Sequence, residues 1–208
     1  MINYLINIYR TLRLKKVVNQ IKKKVTFLGQ NQKFHHNSVI ELKRGSSRSD
    51  IVLGEHVWMF GTLRSANGGK IVFGDYTKIG SNSEIQCVNK VIIGDYTAIA
   101  KNVLIVDNNN HPIHPEDRIF MRTTPFDSPF RDWKYSDNAP IVFGKNVWVG
   151  TNATINKGVT IGDNAIIASN AVVTKDVPAN SVVAGNPGKI VKTDIDKVPR
   201  VFDSTDEQ

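Results

Sequence analysis

One histidine in this sequence stands where it could act as a base. His111 follows the polar run 107–110 and precedes Pro112 and Ile113. Imidazole titrates near neutral pH, so it can accept the proton of a hydroxyl group, which is too weakly acidic to ionise by itself. The residues alone leave a second interpretation open, an ordinary histidine on a surface loop. His114 is a nearby rival, whereas no comparable context surrounds the other three histidines: His35, His36 and His56.

A six-residue repeat must position that histidine. From Phe143 to Val183 every sixth residue is apolar and mostly bulky, and the residue after it is mostly Gly or Ala. Strands alternate with a period of two and helices with 3.6, so neither explains a sustained period of six, whereas a coiled solenoid does. We expect Gly and Asn at the corners, because they tolerate positive φ. We expect positions one and five to point inward; position five is small or β-branched throughout: Val147, Ala153, Val159, Ala165, Ala171 and Val177.

The same hexads occur earlier in the chain with two extra residues in each coil. Leu53, Phe73 and Ile93 each begin a coil and are 20 residues apart, which is three hexads plus two residues. The extra residues fall near 67–69 and 89–90, at one corner. The sequence therefore predicts a mainly β solenoid over residues 51–192, interrupted by an inserted loop at 107–139.

These hexads, of the form aliphatic-Gly-x-x-small-x, resemble those of the hexapeptide-repeat acyltransferases. Residues 147–164, 173–178 and 184–189 are similar to the galactoside and maltose O-acetyltransferases. The overall resemblance is closest to bacterial polysaccharide O-acetyltransferases and covers roughly residues 50–192. It implies a left-handed parallel β-helix that assembles as a homotrimer.

The resemblance also implies an activity. Such an enzyme moves an acetyl group from acetyl-CoA to a hydroxyl of a sugar, oligosaccharide or cell-surface polysaccharide, and needs no metal. The step His111-Pro112-Ile113 matches the His-Pro step that carries the general base of galactoside-type enzymes. Trp148 holds an outward hexad position and matches a tryptophan beside the active site and the pantetheine arm. Burial at a trimer interface is the other interpretation of Trp148, and both can hold.

The donor site follows from the same resemblance. In this family CoA lies along the outside of the C-terminal coils, where small residues let the pantetheine amides approach the backbone and basic side chains meet the phosphates. Lysine at the last of the matching positions stands where some relatives have arginine, so it neutralises a phosphate without a bidentate fork. The matching positions are Gly150, Thr151, Ala168, Ser169, Thr174, Lys175 and Lys189. Lys175 can also be an ordinary solvated corner lysine.

The sequence gives less information about the residues that bind the sugar acceptor. Gln86 is our candidate for holding the sugar, because it lies in the stretch 83–87 that corresponds to a sugar-binding asparagine of the galactoside enzymes. A long run without the repeat inside a compact domain is usually functional or disordered, and 107–139 is too aromatic for a disordered linker. We interpret it as a loop that covers a cleft, with side chains suited to sugar rings or an anionic glycan: Phe120, Phe126, Phe130, Trp133, Tyr135, Arg118, Arg122, Arg131 and Lys134.

Charge is concentrated at the N-terminus. The chain carries a net +8, of which residues 1–50 supply +9 and the remainder −1. Residues 2–24 predict a helix with an apolar stripe and a basic remainder, and three interpretations compete: packing on a solenoid, contact with an anionic membrane, and docking to another protein. The stripe consists of Ile2, Leu5, Ile6, Tyr9, Leu12 and Val17. Residues 193–208 are expected to form a polar tail.

Composition excludes several classes of protein. The 208 residues suit one domain, and a single cysteine, Cys87, excludes an intramolecular disulfide and a cysteine-based zinc site. No apolar run approaches a membrane span and no secretory signal is visible, so we expect a cytoplasmic protein, with peripheral contact at the inner membrane face if the helix binds lipid. The basic segment lacks the pattern of a nucleic-acid binder.

Other functions remain open at this point. The motifs do not exclude N-acetylation of an amino-sugar nucleotide or acetylation of an antibiotic. A carbonic-anhydrase-like solenoid would need three histidines around one zinc, whereas only His111 and His114 are neighbours. A purely structural solenoid would need neither a loop rooted at a histidine nor the signatures at 174–176 and 185–187.

Overall fold

The structure is a computed structural model that describes residues 2–202, with the side chains of residues 2–5 and 7 outside the description. Its helices are α1 (Ile2–Lys22) and α2 (Pro115–Thr123), and single 3₁₀ turns lie at Arg48–Asp50, Pro129–Arg131, Trp133–Tyr135 and Ile195–Lys197. The strands are short and, in chain order, are β1 (Thr26–Phe27), β2 (Lys33–Phe34), β3 (Val39–Lys43), β4 (Ile51–Leu53), β5 (Trp58–Met59), β6 (Thr62–Ala66), β7 (Lys70–Phe73), β8 (Lys78–Ile79), β9 (Glu84–Cys87), β10 (Lys90–Ile93), β11 (Ala98–Ile99), β12 (Leu104–Val106), β13 (Ile141–Phe143), β14 (Trp148–Val149), β15 (Thr154–Asn156), β16 (Thr160–Ile161), β17 (Ile166–Ile167), β18 (Val172–Val173), β19 (Val182–Ala184) and β20 (Lys189–Lys192).

The strands form three sheets that the chain visits in turn. Sheet A has the order β1-β4-β7-β10-β13-β16, sheet B the order β2-β5-β8-β11-β14-β17-β19-β20, and sheet C the order β18-β15-β12-β9-β6-β3. The strands pair in parallel, except that β20 is antiparallel to β19. Together with the hexads, this arrangement is the expected left-handed parallel β-helix.

The coil length changes along the solenoid. Val52 pairs with Val72, a spacing of 20 residues, whereas Val142 pairs with Thr160, a spacing of 18 residues. Asn67 and Gly68, at the predicted insertion corner, both have positive φ. The 20-residue coils of the N-terminal half therefore have their two extra residues at the corner that the sequence predicted.

The interior is a column of apolar side chains. Residues at hexad positions one and five are buried, which confirms the inward pattern. Phe73 and Phe143 are the largest of the fully buried side chains. Burying a side chain of this size contributes roughly 1.5–3 kcal/mol, so the stacked coils stabilise one another along the whole column.

Asparagine and glycine have different tasks at the corners. Asn146, Asn152 and Asn164 adopt positive φ, as expected. The glycines at hexad position two do not, which corrects the expectation that they serve the same purpose. A Cβ built on Gly150 would lie 2.5 Å from the backbone nitrogen of Ser169 in the next coil. Glycine is required here because neighbouring coils approach too closely for any side chain.

At one corner of the solenoid, the type of side chain changes from the N-terminal coils to the C-terminal coils. In the N-terminal coils it holds His56, Tyr76 and Tyr96, all at positive φ, with ring centroids 4.6 Å and 5.5 Å apart. In the C-terminal coils the same corner holds asparagines, where Asn146 Nδ2 donates to Asn164 Oδ1 at 3.0 Å. Stacked rings and amide ladders thus hold successive coils in register.

The solenoid begins earlier than expected, and α1 covers its first coil. β1, β2 and β3 pair with the three sheets, so the repeat starts at Thr26 and not at residue 51. Ile21 and Val17 pack against the core, whereas Tyr9 and Leu12 are exposed. The helix therefore does not present a single apolar stripe, and it ends at Lys22 rather than at residue 24. The predicted stripe side chains of Ile2 and Leu5 lie outside the described residues.

The C-terminal segment closes the other end. β20 runs back along β19, and the backbone N–H of Ile195 donates to the carbonyl of Asn180 at 3.1 Å. Residues 193–202 therefore contact the last coil, at variance with the expected tail, and residues 203–208 lie outside the described residues. No helix within residues 2–202 combines the length and apolar content that a membrane span requires.

Candidate active site

The inserted segment leaves and rejoins the solenoid through a narrow neck. The backbone N–H of Ala139 donates to the carbonyl of Asp107 at 3.0 Å, and that of Asn109 donates to the carbonyl of Asp137 at 3.0 Å. Asn89 Nδ2 donates to Asn138 Oδ1 at 2.9 Å from the coil beside them. These hydrogen bonds hold the two ends of the insertion together. The first of these ends lies immediately before His111 in the sequence.

Asp107 anchors this neck from inside the protein. Its carboxylate is fully buried and accepts the backbone N–H of Val88 at 2.9 Å and of Asn89 at 2.8 Å, together with Asn108 Nδ2 at 3.1 Å. The sequence analysis did not single out this residue, because an aspartate before a loop carries no sign of its burial. Burial raises the pKa of the Cys87 thiol, and the negative charge of Asp107 raises it further, so Cys87 is not suited to nucleophilic chemistry.

A tight turn then presents His111. Asn110 has positive φ, its N–H donates to Asn108 Oδ1 at 2.9 Å, and the N–H of His111 donates to the carbonyl of Asn109 at 2.7 Å. The side chain of His111 is exposed, and its imidazole has no hydrogen-bond partner within residues 2–202. The turn therefore fixes the backbone at His111 and leaves the imidazole open to contact with a bound molecule.

His111 lines a cavity of about 360 Å³ between the insertion and the early coils. One side of the cavity is the turn that follows β3 and the end of β6. The other side is α2 and the segment that returns to the solenoid. The lining residues are Lys43, Arg44, Ala66, Asn67, His111, Arg118, Met121, Arg122, Phe126, Arg131, Asp132 and Trp133. The volume suits a small ligand such as a sugar unit.

An ion pair joins the two sides of this cavity. Arg44 Nε lies 2.8 Å from Asp132 Oδ1, and the Asp132 side chain is only 5% exposed. Arg44 Nη2 also donates to the carbonyl of Asp127 at 2.9 Å. Asn67 Nδ2 donates to Asp132 Oδ2 at 3.2 Å, whereas Asn67 Oδ1 is buried without a hydrogen-bond partner in the described part of the chain. Sequence analysis missed Arg44, Asn67 and Asp132, since nothing local links residues this far apart.

Trp148 and Gln86 do not line the cavity. Trp148 is 57% exposed on the outer face of sheet B, between Ala98 and Ile166 of the neighbouring coils. Gln86 lies on the outer face of sheet C, and its Nε2 donates to Glu84 Oε1 at 2.6 Å. In a single chain, therefore, neither of these two predicted residues lines the cavity that His111 lines.

The residues predicted to bind acetyl-CoA lie at the corners on the two sides of sheet C, except for Lys189, which lies in β20 of sheet B. Gly150 and Thr151 stack against Ala168 and Ser169 at the corner between sheets B and C, where the N–H of Asn170 donates to the carbonyl of Thr151 at 2.9 Å. The other predicted residues are exposed: Thr174 and Lys175 follow β18 on the opposite edge, and Lys189 lies in β20 opposite Ala184.

The edge that holds Lys175 also leads to His111. Val106 pairs with Asn156, and Ile155 pairs with Val173, so the corner after β12 is in line with the corner after β18. The segment that carries His111 leaves the solenoid at that corner. Within residues 2–202 no group of three or more His, Cys, Asp or Glu side chains is placed to hold a metal ion.

Comparisons with known proteins agree with the fold. Residues 140–175 match the family described as bacterial transferase hexapeptide (six repeats). The chain is 36% identical over 141 residues to a polysialic acid O-acetyltransferase of Escherichia coli O1:K1 / APEC, covering 65% of this chain and 40% of that protein. It is 32% identical over 96 residues to the galactoside O-acetyltransferase of Escherichia coli K12, covering 44% of this chain and 41% of that protein. The matches thus span less than half of either relative.

A solved structure extends the similarity over more of the chain. The crystal structure of the polySia-specific acetyltransferase NeuO is 28% identical, has a TM-score of 0.56, and covers 81% of this chain and 70% of that one. Residues 140–175 are therefore similar to the hexapeptide-repeat transferases, and the fold and the sequence relatives of the chain are similar to acetyltransferases with such repeats.

Proposed function

We propose that this protein is an acetyl-CoA-dependent O-acetyltransferase that acetylates a hydroxyl of a sugar, oligosaccharide or cell-surface polysaccharide. The observation that carries the proposal is the exposed imidazole of His111, which lines a cavity and follows a hydrogen-bonded neck at the corner in line with Lys175. The O-acetyltransferase relatives, one acting on a polysaccharide and one on a galactoside by their names, support it.

In the proposed reaction His111 serves as the general base. The acceptor hydroxyl loses its proton to the imidazole as its oxygen forms a bond to the thioester carbonyl carbon of acetyl-CoA. The tetrahedral intermediate then collapses and breaks the carbon–sulfur bond. The CoA sulfur leaves with the electron pair and takes the proton back from the imidazolium, which gives the acetyl ester and free CoA with His111 restored.

We propose that acetyl-CoA lies along the edges of sheet C in the C-terminal coils. Thr151, Ala168 and Ser169 are small and at least partly exposed, so pantetheine amides can approach the backbone there. The exposed cations Lys175 and Lys189 are available to its phosphates. The proposal requires no metal.

Coenzyme A should raise the thermal unfolding midpoint. A ligand that binds only the folded state at about 100 times its Kd contributes roughly 2.7 kcal/mol of stability. Lys175→Ala and Lys189→Ala should each weaken binding of full CoA about 10-fold and leave pantetheine binding unchanged, because each removes a phosphate partner. Lys90→Ala, at an exposed lysine of an earlier coil, is the matched control. Equal losses for CoA and pantetheine would assign the two lysines to folding instead.

A coupled assay of CoA release tests the reaction itself. Transfer to hydroxyl acceptors supports the proposal. Transfer to amino sugars or to amine-bearing antibiotics alone would replace it with N-acetylation, and absence of both CoA binding and transfer would leave a structural solenoid.

We also propose that the working assembly is a homotrimer with its sites between subunits. This arrangement is favoured because Trp148 is widely exposed and lies outside the His111 cavity of its own chain. Light scattering should then give about three times the 23.2 kDa of one chain. A monomeric mass at micromolar concentration would contradict the trimer.

Finally, we propose a cytoplasmic location with peripheral contact at the inner membrane face through α1. Tyr9 and Leu12 are exposed beside Arg10, Arg13 and Lys16. Each basic residue near an anionic surface contributes about 1 kcal/mol, so vesicle binding should weaken as salt rises. Tyr9→Ser/Leu12→Ser should abolish sedimentation with anionic vesicles. This variant is preferable to deleting residues 1–24, because Ile21 packs on the core. Wild-type protein that stays in the supernatant at low salt would contradict the proposal.

A further inference from the structure

The cavity beside His111 is strongly cationic. Its lining contains five permanent cations, namely Lys43, Arg44, Arg118, Arg122 and Arg131, and one carboxylate, Asp132. Asp132 is already engaged by the ion pair with Arg44. Lys43 Nζ is also paired, since it lies 2.9 Å from Glu41 Oε2, so the excess positive charge of the cavity lies on the three other arginines.

The remaining arginines have no carboxylate partner in the described chain. Arg118 Nη1 donates to the carbonyl of Ile113, and Arg131 donates from Nε to the carbonyl of Thr124 at 3.2 Å and from Nη2 to the carbonyl of Arg122 at 3.1 Å. Carbonyl oxygens orient a guanidinium but do not cancel its charge. The guanidinium of Arg122 has neither a hydrogen bond nor an ion pair within residues 2–202.

Helix α2 places two of these positive charges close together. Arg118 and Arg122 are four residues apart, so they lie on the same face of the helix, with the buried Met121 next to them. Like charges at this spacing destabilise a helix. An anion bound between the two arginines would convert that repulsion into attraction on both sides.

The remaining walls suit a sugar. Phe126 and Trp133 line the cavity with aromatic rings, on which a sugar ring can pack. The planar arginine fork matches a carboxylate or a phosphate in geometry as well as in charge. A neutral sugar would leave the excess charge unmatched.

We propose that this cavity is a subsite for an anionic group of the acceptor, a carboxylate or a phosphate, held by Arg118 and Arg122 next to His111. The inference rests on the proposed acetyl transfer and names the class of acceptor for it: acidic sugars or phosphorylated glycans in preference to neutral ones. Arg122 supplies binding energy here, and His111 supplies the proton transfer.

The test compares probes that differ in charge. Binding of a tetragalacturonide and of its carboxyl-reduced form is measured by titration calorimetry with wild type, Arg122→Gln and Lys134→Gln, and glucose 1-phosphate and methyl glucoside serve as the phosphate pair. Lys134 was among the side chains that the sequence suggested for an anionic glycan, but it does not line the cavity and lies 5.1 Å from the Tyr135 ring. As a cation of the same insertion it is therefore the control.

The acidic form of at least one pair should bind about 10-fold more tightly than its neutral form to wild type, since a charge-assisted hydrogen bond is worth about that factor. Arg122→Gln should remove this preference and Lys134→Gln should keep it. The pair that shows the preference distinguishes a carboxylate from a phosphate. The inference is overturned if neither pair shows an Arg122-dependent preference, or if Arg122→Gln weakens CoA and not the acidic probes.

Measurements of CoA binding and of acetyl transfer distinguish failure of this inference from failure of the proposed function. If CoA fails to bind or to turn over while the acidic probes bind through Arg122, acetyl transfer fails and the anion subsite stands. If neutral acceptors are acetylated as well as acidic ones and Arg122→Gln has no effect, acetyl transfer stands and the subsite fails.

Discussion

His111→Ala should lower kcat roughly 10²–10⁴-fold, which is the usual contribution of a positioned base. The loss should appear with little change in stability, because the imidazole is exposed and leaves no described hydrogen-bond partner unpaired. Affinity for CoA should also persist, since the predicted donor residues lie along the C-terminal coils rather than in the cavity. The measurements are initial rates of CoA release and a CoA titration on the same preparation.

His114→Ala is the matched control for that prediction. His114 precedes α2 at its N-cap position but makes no capping hydrogen bond with its side chain, and it does not line the cavity. Its substitution should leave kcat within a factor of about two, as is usual for a surface change of a few tenths of a kcal/mol. Full activity of His111→Ala together with loss in His114→Ala would show that the base is His114.

Asp107→Ala should damage stability and turnover together. The substitution removes the buried carboxylate that accepts the N–H groups of Val88 and Asn89, and the loss of these hydrogen bonds costs about 1–3 kcal/mol. It also frees the neck that aims His111, so kcat should fall at least about 10-fold while the KM for acetyl-CoA stays nearly constant. Asp107→Asn keeps one acceptor oxygen and should recover part of both losses.

The control for Asp107 lies on the other strand of the same neck. Asp137 is exposed, and only its backbone carbonyl takes part in the neck hydrogen bonds. Asp137→Ala should therefore leave the urea unfolding midpoint and kcat close to wild type. A stable Asp107→Ala variant with full kcat would mean that the neck does not position His111.

The solenoid could be predicted from the sequence because the spacing between nearby residues determines where each one lies in a coil. A coil with three flat sides brings the same environment back every six residues, so the buried residues Val147, Ala153 and Val159 reveal their positions by spacing alone. The two-residue insert at each early corner was visible for the same reason. Periodicity also located the point where the pattern breaks, and therefore the insertion that carries His111.

Most of the cavity could not be predicted in this way. Arg44 and Asp132 meet across the cavity although 88 positions separate them in the sequence, and no repeat connects a coil to an aperiodic insertion. Asp107 gives no local sign of its burial either. The basic residues of α2 are evident in the composition of the insertion, but only the fold shows that Arg118 and Arg122 line the same cavity as His111.

The way α1 and β20 close the solenoid has a consequence for how the protein behaves in a crowded solution. Every coil offers its backbone donors and acceptors to the next, so an open end would be a template onto which another solenoid could add, and the addition could repeat into a fibre. At one end Ile21 and Val17 cover the apolar interior. At the other end β20 runs in the opposite direction to the strands it follows, which interrupts the parallel ladder of sheet B. The two closures therefore limit the particle to a finite length.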